Sequence, residues 1–64
     1  MNIPNNAKYF EYLYELQKSG RTNMFGAGAY LEREQGLDRK QAREIFSFWM
    51  QNYEEIAKQL SIEI

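Results

Sequence analysis

One stretch limits what this chain can fold into. Residues Asp38 to Leu60, DRKQAREIFSFWMQNYEEIAKQL, hold the only tryptophan and two of the four phenylalanines. At about 100° per residue, Ala42, Ile45, Phe46, Trp49, Tyr53, Ile56, Ala57 and Leu60 fall within an arc of about 120°. Lys40, Arg43, Glu44, Ser47, Gln51, Glu54, Glu55 and Lys58 fill the opposite arc. The pattern predicts one long amphipathic helix over 38–60. Its start is well marked. Asp38 is placed to accept a hydrogen bond from a free backbone N–H, and Gln41, three residues on, completes a capping box. Leu37 and Ala42 take the staple positions on either side of that cap. Phe48 and Met50 flank the apolar arc on its two sides.

Two shorter helices are predicted before it. Pro4 disfavours helix at Ile3, and Asn5 or Asn6 suits the N-cap of a helix over about 6–19. Tyr12, Leu16, Tyr9 and Leu13 form its stripe, with Phe10 at the edge and Tyr14 outside. Lys8, Glu11, Glu15 and Lys18 lie opposite, and Gly20 fits a left-handed C-cap. After a tight connection at 21–23, with Thr22 or Asn23 as N-cap, a second helix is predicted over about 23–35. Met24, Ala27, Gly28 and Leu31 share one of its faces, and Gln35 falls on that apolar stripe. Gly26 and Gly28 each cost a helix interior about 1 kcal/mol relative to alanine. Close approach of another helix backbone is the expected compensation. Gly36 is a natural C-cap. The whole reads as an all-α, compact three-helix domain, single from 1 to 64, with a long C-terminal helix.

Composition adds constraints. A chain of 64 residues makes one domain, and one so short is marginal alone. It has no cysteine and no histidine, so disulfides and the usual zinc ligand sets are excluded. Packing and self-association remain as sources of stability. An aromatic content of 16% favours both, because each ring buries a large area. The net charge of −1 gives no overall pull toward nucleic acid or an anionic membrane. The charge is uneven, however: residues 18–43 carry Lys18, Arg21, Arg33, Arg39, Lys40 and Arg43 against Glu32, Glu34 and Asp38. The last third is acidic. No apolar run approaches the roughly 18 residues of a membrane span, and MNIPNNAKYF lacks the pattern of a signal peptide. A cytoplasmic location is expected.

Candidate chemistry is sparse. Gly26-Ala27-Gly28 lacks both the third glycine and the preceding strand of a phosphate-cradling loop, so a packing or turn role is expected. Glu54 and Glu55 diverge by about 100° on a helix and have no partner base. Ser19, Ser47 and Ser61 have no histidine to activate them. No catalytic, cofactor or metal residue is assigned, and an enzyme is not expected. The cluster Arg39, Lys40 and Arg43 opposes the helix dipole at the start of the third helix and so invites a reason. A helix-turn-helix is one: Leu31, Leu37, Ala42 and Ile45 occupy its hydrophobic positions and Gly36 its turn. Lys40, Arg43 and Ser47 would then face the groove and Arg39 a phosphate. Gln35 and Glu32 depart from that motif. The favoured expectation is instead a non-enzymatic protein–protein interaction module. It would self-associate as a homodimer through the apolar surface of Phe48, Trp49, Met50 and Tyr53. No membrane or small-molecule partner is expected.

The residues Ser19-Gly20-Arg21-Thr22-Asn23-Met24-Phe25-Gly26-Ala27, then Tyr30-Leu31, Leu37-Asp38-Arg39-Lys40, Ala42-Arg43 and Trp49-Met50 form a recognisable series. It resembles a group of short uncharacterised helical proteins of bacteria and their phages. Their pattern joins TNMFGA and YL to a later L.R..AR and WM. The resemblance covers about residues 9–50. It implies a compact helical fold and no site. Gln35 stands where that group tends to carry an aromatic.

Overall fold

The computed structural model of the chain describes residues 2–20 and 26–63. Among them it is all-helical. A 3-10 turn, Pro4–Asn6, leads into α1 (Ala7–Ser19); α2 (Ala27–Gln35), α3 (Arg39–Gln51) and α4 (Tyr53–Gln59) follow. The expected N-cap at Thr22 or Asn23 and the placement of Met24 lie outside the described residues.

The first turn is capped by Asn2 and not by Asn5 or Asn6. Asn2 Oδ1 accepts from the Asn5 backbone N–H at 2.9 Å, and Asn6 Nδ2 donates to the Asn2 carbonyl at 2.7 Å. Pro4 is the reason, since its fixed φ suits the first helical position and moves the helix start one turn earlier. The other ends follow the sequence. Gly20 and Gly36 are left-handed C-caps, at φ 70° and 68°, where a side chain would be strained. Asp38 Oδ1 accepts from the Gln41 N–H at 2.7 Å.

The long helix is divided. Asn52, at φ −124° and ψ 31°, is non-helical and separates α3 from α4. Its backbone N–H and its Nδ2 both donate to the Phe48 carbonyl, each at 3.0 Å. A side chain entering the ladder is a recognised cause of a kink. An unbroken helix from Arg39 to Gln59 would be about 32 Å long, whereas the longest dimension of the molecule is 26 Å.

The bend wraps the core around Trp49, which is fully buried with Phe10, Leu13, Leu31 and Ile56. Its ring meets Tyr14 edge-on at 5.2 Å, Tyr53 at 5.2 Å and Phe46 at 6.2 Å, separations typical of attractive aromatic pairs. Tyr14, expected outside the stripe of α1, is buried in this cluster. The apolar arc of α1 runs from Leu16 through Leu13 and Phe10 to Tyr14. Its hydroxyl donates to the Tyr53 carbonyl, at the first residue past the bend. Burial pushes the Tyr14 hydroxyl above its ordinary pKa of 10.0. The Trp49 N–H acts against that push without making a hydrogen bond of normal geometry.

Candidate nucleic-acid interface

α2 packs more extensively on α3 than on any other helix. The two are joined by Gly36, Leu37 and Asp38. This short connection follows from two local signals placed back to back. The Gly36 C-cap reverses the chain, and the Asp38 N-cap starts the next helix two residues later. Leu37 between them packs against the core. Leu31, Ala42 and Ile45 are buried. These four apolar positions match the helix-turn-helix spacing, and their burial fixes which side of α3 faces outward.

On that outward side Arg39, Lys40, Arg43 and Ser47 are all exposed. Arg39 and Arg43 lie one turn apart, as do Arg43 and Ser47. Glu44 is exposed beside them, and Asp38 is engaged in capping. The two departures from the motif take mild forms. Glu32 is exposed at the rim of the α2–α3 groove, and Gln35 is half-buried. Neither places a charge in the core.

The four residues expected at a dimer interface do not form one surface. Trp49 has no accessible surface at all. Phe48 is half-buried with its ring 5.9 Å from that of Phe10. Tyr53 is half-buried, and its hydroxyl donates to Gln17 Oε1. Met50 alone of the four is an exposed large hydrophobic, at 50%. The bend at Asn52 accounts for this. It brings α4 round so that α3's flank is spent within the chain.

The sequence did not single out the groove between α2 and α3. Gly28, Ala29, Glu32, Arg39, Ala42, Arg43 and Phe46 line it, enclosing about 320 Å³. The close backbone approach expected at Gly28 is not found: a Cβ built there would meet nothing within 4 Å. The groove could have been suspected only by pairing small residues of α2 with the basic start of α3. No described group of acidic residues is arranged to hold a metal ion, and no described helix is long and apolar enough to cross a membrane. No protein-family model, characterised protein or solved structure matches the chain.

Proposed function

We propose that this chain is a non-enzymatic DNA-binding module that lays the outward face of α3 in the major groove of a duplex. The reading is carried by the division of α3 behind its short turn. Ala42, Ile45 and Trp49 are buried while Arg39, Lys40, Arg43 and Ser47 are exposed. The helix start therefore presents three cations and a hydroxyl, chemistry suited to phosphates and to base edges. It also gives the unfavourable basic first turn a purpose. With few cations the affinity is modest and set by salt. Three phosphate contacts correspond to a slope of log K against log salt of about −2.7. Fluorescence anisotropy with a labelled duplex across 20–200 mM salt tests this. Arg39→Ala with Arg43→Ala should weaken binding and bring the slope to about −0.9. Unchanged affinity in that double variant, or no binding by the wild type at low salt, sinks the reading.

Exposed Met50 supports a second reading, a homodimer through this side of α3. It stands behind the first because so little apolar surface is left. The accessible area of 4525 Å² is close to the roughly 4300 Å² expected of a monomeric protein of this mass. Light scattering after gel filtration decides it; a 7.7 kDa monomer at high concentration removes the dimer.

A further inference from the structure

Gly28 costs α2 stability relative to alanine, and nothing inside the chain requires it. Its φ is not in the left-handed region, and a Cβ would meet no atom within 4 Å. Nor is it out on open surface. It is half-buried at the floor of the α2–α3 groove, beside Ala29 and Ala42, below Arg39 and Arg43. A residue without a side chain at the floor of a concavity serves close approach by something outside the chain. The walls say what kind of group. Two guanidiniums from successive turns of α3 face one carboxylate, Glu32, so the groove has a cationic excess. Guanidinium forks match the oxygens of a phosphate. Phe46 closes one side with apolar surface, which tolerates a sugar but offers no competing anion.

We propose that this groove seats one backbone phosphate of the bound duplex, held by Arg39 and Arg43 over Gly28. The inference rests on the DNA reading above and adds to it the contact that sets how α3 sits against the duplex. Seated there, the phosphate fixes the register of α3, while Lys40 and Ser47 remain free to meet base edges.

Gly28→Ala and Gly28→Leu test it, because both replace glycine with a better helix former at a site with open space. Each variant should melt no lower than the wild type. Gly28→Leu fills the groove, so its affinity for a labelled duplex should fall roughly tenfold at 50 mM salt. The slope of log K against log salt should become shallower by about 0.9, the share of one phosphate. Gly28→Ala should fall between Gly28→Leu and wild type. Wild-type affinity and slope in Gly28→Leu, with binding by the wild-type chain intact, overturn the groove and leave the DNA reading standing. A lowered melting point in Gly28→Ala overturns the premise that the glycine has no packing role. Tighter binding of a single-stranded RNA of equal length overturns the assignment to a duplex. No binding by the wild type overturns both proposals together.

Discussion

α3 and α4 are consecutive lengths of one apolar stripe, yet they hold their shape by different means. α3 is locally determined. Asp38 caps its first turn, and it runs for 13 residues with Ala42, Ile45 and Trp49 turned inward. α4 has seven residues, too few to be stable by propensity. Its N-cap residue, Asn52, makes no side-chain cap bond, because that side chain is committed backward to Phe48. Tertiary ties supply what local signals do not: Tyr14 holds the Tyr53 carbonyl, and Ile56 and Ala57 are buried. The contrast suggests a division of labour. The self-sufficient helix can leave its outer side unpaired for a partner, while the dependent one closes the core.

The largest expected effect tests what the two helices share. Trp49 is fully buried and contacts rings on α1, α3 and α4. Trp49→Ala should cost about 3–5 kcal/mol. Total stability for a chain of this size is roughly 3–10 kcal/mol. Urea unfolding followed by circular dichroism should therefore show a mostly unfolded protein, or a midpoint near zero denaturant. A well-folded variant would mean that the aromatic cluster is not the common core of α3 and α4.

The contrast also explains what was legible in advance. α1, the two glycine caps, the Asp38 cap and the inward side of α3 rest on neighbours within four residues, so the sequence displays them. The bend does not. Asn52 is neither proline nor glycine, and the stripe Trp49, Tyr53, Ile56 continues across it in helical period. The bend is fixed by contacts 39 residues apart, such as Tyr14 to Tyr53. Tyr14 was misplaced for a related reason. A projection with one stripe assumes one neighbour, but α1 packs against α3 and also reaches α4 through Tyr14, which widens its buried arc. At the candidate site the exposure of Arg39, Lys40, Arg43 and Ser47 was readable from the helical period. The groove over Gly28 was not, because it depends on how α2 crosses α3.

A middle-sized effect should separate the two helices. Tyr14→Phe keeps the ring and removes the hydroxyl that ties the start of α4. A cost of about 1 kcal/mol is expected at pH 7. Amide exchange should quicken in α4 more than in α3, because α4 opens locally at lower free energy. The pH dependence has a definite sign. Burial holds the Tyr14 pKa above 10.0 in the folded chain. The unfolded chain therefore loses this proton first as pH rises. Stability from the protonated hydroxyl is complete below pH 10 and is lost as pH climbs through the folded value. The variant lacks that loss, so the gap between it and wild type should narrow above pH 10. A gap that stays constant across this range would show that Tyr14 does not titrate with unfolding.

The smallest effect should strengthen the dependent helix. α4 ends in a reversal where the Ile62 N–H donates to the Ala57 carbonyl at 2.8 Å and the Ser61 N–H to the Lys58 carbonyl at 3.3 Å. This is the double bond pattern of a Schellman cap, usually made by glycine. Here Ser61 takes the left-handed position, at φ 57°, and half-buried Ile62 packs against the core. A side chain in that conformation costs about 1–2 kcal/mol. Glycine removes the strain but adds freedom to the unfolded chain, worth about 0.4–1 kcal/mol in the other direction. The relief is the larger of the two, so Ser61→Gly should stabilise by about 0.5 kcal/mol. The gain should appear as slower amide exchange in α4, with α3 and its outward face unchanged. Ser61→Val should do the reverse, since a β-branched residue fits the left-handed region worst. If Ser61→Gly slows exchange equally in both helices, α3 and α4 open as one unit and the division between them does not hold.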